Sequence, residues 1–162
     1  MDSKVSCRFY IEGVTLAFHD RIPVDVMATG EDVLGFSNRW YPEGFAHSIT
    51  HTIDPQHEIQ ILPARYFLAT KLEAFKSPSR EDHLNGITST DFEDIMFILE
   101  YRRSIWEEMQ TAEDDLKQYL IEEFRTHLAH PRFEEWVDAH AGSSYPPATY
   151  MILNRLKEFV QA

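Results

Sequence analysis

Apolar and polar positions alternate with a period of two over residues 4–62 and switch to a period near 3.6 from residue 63 onward. Val5, Cys7, Phe9 and Ile11 alternate with polar or bulky neighbours, and Val14, Leu16 and Phe18 resume the alternation after Glu12-Gly13. That pattern predicts a hairpin turning at Glu12-Gly13. His19-Asp20-Arg21 then reads as a turn into a strand at 22–27, with Val24 and Val26 on one face and Asp25 on the other. A short helical turn is expected at 31–36. Residues 45–53 and 57–62 read as a second hairpin around Asp54-Pro55, with His47 and His51 as the polar side of the strand that carries Ile49 and Ile53.

The second part reads as helices. The first is expected over about 64–76, with Leu68, Leu72 and Phe75 on one face. A loop at 77–89 holds Pro78 and Gly86. Thr90 and Glu93 have capping-box spacing, and Phe92, Ile95, Met96 and Leu99 follow at i, i+3, i+4 and i+7. Ser104 and Glu107 repeat the capping pattern. Leu116, Leu120, Phe124 and Leu128 line a helix over about 112–129, and Pro131 suits the first turn of a short helix holding Phe133, Trp136 and Val137. A last helix, about 147–161, carries Ile152, Leu153, Leu156, Phe159 and Val160. The expected architecture is α+β in one domain, 1–162: a strand-rich part over about 1–62 and a helical part over about 63–162 that covers its sheet.

Composition narrows the function. Eleven Phe, seven Tyr and three Trp in 162 residues supply a core. A single cysteine, Cys7, excludes an intrachain disulfide and fits a reducing cytosol, and no apolar run spans a bilayer. Cys7 itself reads as a small buried hydrophobe. The net charge of −12 argues against general nucleic-acid binding and against anionic membranes, because phosphate backbones reward clustered Lys and Arg.

Few residues suggest chemistry. Phosphoryl and nucleotidyl transfer need carboxylates on rigid elements to hold divalent metals. Asp25, in an apolar strand, suits that task, although its local pattern suits a solvent-facing strand acid better. Lys71 lies beside the apolar face of its helix, where it either reaches a phosphate or snorkels to water. Asp91 and Asp94 share one side of the next helix, and Asp91 also lies where the helix dipole favours an acid. His127 and His130 have i, i+3 spacing, with no third metal ligand indicated.

The segment Pro63-Ala64-Arg65-Tyr66-Phe67-Leu68-Ala69-Thr70-Lys71-Leu72-Glu73-Ala74-Phe75, then Asp82, then Asp91-Phe92-Glu93-Asp94-Ile95, resembles the late motifs of AbiEii-type nucleotidyltransferases. These are toxin halves of type IV toxin–antitoxin systems in the polymerase-beta-like superfamily. Val24-Asp25-Val26-Met27 and Leu34-Gly35-Phe36-Ser37-Asn38-Arg39-Trp40-Tyr41-Pro42 are similar to a subgroup of that family, so the resemblance spans about 22–99. It implies a partial nucleotidyltransferase-like mixed sheet and transfer of a nucleotidyl group from an NTP, with Mg²⁺, to a protein or RNA acceptor. By the same resemblance Asp25 is the third metal-associated acid, Lys71 the lysine of the helical motif, and Asp94, with Asp91, the later aspartate motif. Arg39 has either a phosphate contact or a structural salt bridge.

The sequence departs from the family in lacking the Gly-Ser turn and the paired-acid strand; only 21 residues precede Ile22. The resemblance therefore implies weak metal–nucleotide binding and a truncated or degenerate enzyme in the cytoplasm, with a cognate antitoxin as a candidate partner. The alternative is a non-catalytic module or subunit that pairs through an exposed sheet edge, with itself as a homodimer or with a partner chain.

Overall fold

The computed structural model describes residues 7–16, 19–26, 38–78, 80–142 and 147–161, with backbone pairing alone for the first two segments. The fold is α+β and mostly helical. Two compact units divide it, Met1–Arg39 and Trp40–Ala162.

In the first unit, β1 (Cys7–Leu16) pairs antiparallel with β2 (His19–Val26), from Cys7 opposite Val26 to Leu16 opposite His19. This corrects the expected turn at Glu12-Gly13. Both residues lie within β1, at the start of a pairing irregularity between Glu12 and Leu16. The apolar positions change there from odd to even numbers, and a glycine tolerates the local kink that such a change requires. His19, Asp20 and Arg21 likewise belong to β2 rather than to a turn. The expected helical turn at 31–36 lies outside the described residues.

The second unit opens with α1 (Tyr41–Ala46), a short helix that the alternating pattern does not predict. Buried Trp40 precedes it, and buried Gly44 packs so closely that an added Cβ would lie 3.2 Å from Cβ of Tyr66. Then β3 (Ile49–Asp54) and β4 (His57–Ile61) form the expected antiparallel hairpin, but it turns at Pro55-Gln56, one residue later than expected, and residues 45 and 46 belong to α1 instead of the first strand. Its turn is set by Asp54, whose Oδ1 accepts from the Gln56 N–H at 2.8 Å. Among the described residues the four strands form two separate two-stranded sheets.

The histidine expectation for this hairpin fails on parity. Positions 47, 49, 51 and 53 fall on one face of any strand. His51 accordingly stands opposite Ile59, beside the Ile49–Ile61 pair, and shares its face with the isoleucines. His47 precedes the strand, caps the C-terminus of α1 and stacks on Tyr66. Ile49, Ile53 and Ile59 are exposed.

Among the described residues six further helices build the core: α2 (Ala64–Phe75), α3 (Thr90–Tyr101), α4 (Ile105–Gln110), α5 (Asp114–Leu128), α6 (Phe133–His140) and α7 (Ala148–Phe159). Their apolar stripes do what their spacing predicts. Leu68, Leu72 and Phe75 of α2 meet Phe92, Ile95, Met96 and Leu99 of α3, and Leu116, Leu120 and Phe124 of α5 join the same core. Each such side chain removed from water contributes on the order of 1.5–3 kcal/mol. The cap of α3 lies one residue before the expected Thr90: Ser89 Oγ accepts from the Phe92 N–H at 3.4 Å. Arg65 ties the start of α2 to the residue before α5, donating from Nε and a terminal nitrogen to the two oxygens of Glu113, both at 3.2 Å.

Candidate functional site

Helices α2 and α3 pack along their apolar stripes, and the edge of that contact brings together three of the residues singled out in the sequence. Lys71 leaves α2 beside the buried Leu72 and crosses to α3. Its Nζ donates to Asp91 Oδ1 at 2.9 Å and pairs with Asp94 Oδ2 at 2.6 Å. The i, i+3 spacing of the two aspartates puts both on the helix edge that faces the lysine. Asp91 is also in the first turn of α3, so the helix dipole favours its charge.

The three groups differ in access to water. The Asp91 side chain is only 4% exposed, Lys71 25% and Asp94 46%. A buried carboxylate demands full compensation, and Asp91 receives it from both sides: Arg80 forms an ion pair with its other oxygen, Oδ2, at 3.1 Å. The result is an alternating chain of charges, Arg80–Asp91–Lys71–Asp94. Burial opposes the charged form of Lys71, but the hydrogen bonds it donates to Asp94 and Asp91 outweigh it and hold its pKa above the usual lysine value. Phe67, one turn earlier on α2, lies under the ammonium at 5.5 Å from its ring centroid.

Arg80 is the member that sequence reasoning missed. It comes from the irregular 77–89 segment, where no periodic pattern marks one position over another. That segment is nonetheless closely held. Arg80 N–H donates to Ser77 O at 3.0 Å, Leu84 N–H to Phe75 O at 3.1 Å, and His140 Nε2 contacts Gly86 O at 2.8 Å. Gly86 packs directly against Trp136.

The other sequence candidates stand elsewhere. Asp25 occupies the penultimate position of β2, in register with Arg8, and its side chain lies outside what is described. Arg39 is exposed in the turn before Trp40. Both belong to the Met1–Arg39 unit. His127 and His130 do not form a metal pair. His127 is buried among Phe75, Phe92 and Phe133, stacked on the last with centroids 5.8 Å apart, while His130 stacks on Trp136 at 4.1 Å. His127 Nε2 has no hydrogen-bond partner among the described residues, and burial first, then Lys76 and His130, push its pKa down to about 4.

The Lys71 cluster does not fit Mg²⁺. That ion takes oxygen ligands in near-ideal octahedral geometry, yet both oxygens of Asp91 already face cations and Asp94 Oδ2 faces the ammonium. Among the described residues, no three His, Cys, Asp or Glu side chains are grouped to hold a metal. The cluster can instead offer cations, held at fixed positions by a buried acid, to an anionic ligand. No described helix is long and apolar enough to cross a membrane. No family model matches the chain, and neither the curated proteins nor the solved structures include a match to it.

Proposed function

We propose that the chain is a nucleotidyltransferase-like protein of the AbiEii type whose Lys71 cluster binds the phosphates of an NTP. The observation that supports this reading is convergence. Lys71, Asp91 and Asp94 were matched to that family from two segments separated by a loop, and they meet in one ion-paired cluster. Lys71 is the phosphate ligand: it keeps Asp91 and exchanges the water-facing Asp94 for phosphate oxygens. Asp91 holds the lysine in place, and Asp94 returns to cover it when the ligand leaves. Mg²⁺ comes with the nucleotide, the Lys71 cluster does not ligate it, and the family resemblance marks Asp25 as the metal-associated acid. The finer architecture of this reading, a partial nucleotidyltransferase-like mixed sheet, goes beyond the two hairpins described. The acceptor is a protein or RNA, and a cognate antitoxin is the matching partner.

Calorimetric titration of Mg-ATP and the other Mg-NTPs into the purified chain tests the reading. Saturable heat at millimolar nucleotide that disappears in Lys71→Ala supports it. No heat with any of the four, or heat unchanged by Lys71→Ala, removes it.

A second reading is favoured by the β3–β4 hairpin. Its strands pair only with each other among the described residues, and Ile49, Ile53 and Ile59 are exposed on one face. Under this reading the chain is an interaction module that adds the hairpin edge to a second copy or a partner strand. Light scattering across a concentration series tests the self-pairing form, which a monodisperse monomer at all concentrations excludes.

A further inference from the structure

We infer that Arg80 is a second phosphate-binding residue and that Asp91 is the buried pivot setting its spacing from Lys71, so that the cluster selects a polyphosphate over a single phosphate. This rests on the nucleotide reading of Lys71 and adds to it a residue that reading does not contain.

The argument starts from Asp91. A side chain 4% exposed cannot keep its charge without partners, and it has two, one on each oxygen: Lys71 at 2.9 Å and Arg80 at 3.1 Å. One carboxylate therefore holds two cations, one on each of its oxygens. Both cations also reach water, Lys71 at 25% and Arg80 at 50% exposure. A guanidinium carries five N–H donors in a rigid fork; a terminal nitrogen of Arg80 lies 3.1 Å from Asp91 Oδ2 while half of the side chain faces water, where an anion can reach it.

The surroundings favour pre-organisation. Arg80 sits on a segment pinned by its own backbone bonds to Ser77 and by the Leu84–Phe75 bond, and closed at its far end by Gly86 against Trp136. Leu84 adopts φ of 56° there, a left-handed conformation that a leucine holds only when its surroundings fix it. Lys71 stands on a helix whose neighbouring residues are buried. Two cations held on rigid elements lose little freedom when they meet a ligand.

The test compares inorganic tripolyphosphate with orthophosphate, by calorimetry and NMR titration, on the full chain and its Arg80→Ala, Arg80→Lys and Lys71→Ala variants. Arg80→Ala is expected to weaken tripolyphosphate about tenfold, the worth of one charge-assisted hydrogen bond, while orthophosphate changes less than about twofold on the same scale. Arg80→Lys, which keeps the charge but not the fork, falls between. Equal weakening of both anions would mean that Arg80 only shapes the cluster, and would overturn the inference. Unchanged tripolyphosphate affinity in Arg80→Ala, with loss in Lys71→Ala, overturns it while leaving the nucleotide reading standing. A wild-type chain that binds neither anion, or a Lys71→Ala variant that binds both normally, ends the nucleotide reading and this inference together. Should Arg80→Ala fail to fold, the Arg80→Lys ratio of the two affinities decides.

Discussion

Replacing Lys71 with methionine keeps most of its length and removes its charge, and the structure sets what that costs. Asp91 is left as a buried carboxylate with one of its two cations gone. Breaking a fully buried pair from one side costs about 3–5 kcal/mol. Here the cost is smaller, because Arg80 still meets Oδ2 and the lysine was itself a quarter exposed. We expect about 2 kcal/mol, which in a chain of 162 residues lowers Tm by about 4–8 °C. Asp94→Asn breaks a pair that faces water and should cost less than about 1 kcal/mol. A double-mutant cycle between Lys71→Met and Asp91→Asn, read by urea unfolding, isolates the buried contact and should give a coupling of about 1–2 kcal/mol. The pH dependence follows from the raised Lys71 pKa. The folded state holds this proton more tightly than the unfolded chain, so the contribution is complete below the usual lysine value. It disappears as pH rises through the higher folded value. The stability gap between wild type and Lys71→Met should stay constant from neutral pH to about 10 and narrow above it. A variant within about 0.5 kcal/mol of wild type, with a coupling below about 0.3 kcal/mol, would refute the reasoning.

His127 works on the acid side. Its folded pKa of about 4 lies below the usual 6.5, so its contribution is complete above pH 6.5 and is lost progressively as pH falls towards 4, by about 3 kcal/mol in all. His127→Leu should flatten the acid limb of the stability curve, and an unchanged limb would contradict the burial argument. Gly86→Ala drives a Cβ into the Trp136 ring, so it should destabilise by about 1–3 kcal/mol in denaturant titration, with loss of the native Trp fluorescence signal. Ile53→Lys sits on the exposed hairpin face and should change stability by less than about 0.5 kcal/mol. If the chain self-associates through that hairpin, the same substitution should return it to a monomer in light scattering.

Where tertiary packing follows a long periodic stripe, the sequence foretells it. Phe92, Ile95, Met96 and Leu99 form the buried face of α3 as their spacing requires. Short or local signals are weaker. Glu12-Gly13 has the composition of a turn, yet strand pairing continues past it, because ladder bonds on both sides outweigh a local preference. α1 is too short to show a period and is held by the contact of Gly44 with Tyr66. At the site, helix position and the family resemblance both single out Lys71, Asp91 and Asp94, but their mutual contact depends on the packing of α2 on α3. Arg80 had no signal, since an arginine in a loop is ordinarily a solvated charge. Only its distance from a buried acid distinguishes it.

The alternating order of the Lys71 cluster has an electrical consequence. Two positive and two negative groups cancel at distances larger than the cluster itself, so within a Debye length of the surface an approaching anion senses mainly the remainder of the chain, which carries −12. The cluster can hold phosphate on contact but cannot draw it in from a distance. Added salt should then speed the encounter with tripolyphosphate by screening the repulsion, even as it weakens the bound state. Association and affinity would move in opposite directions with ionic strength.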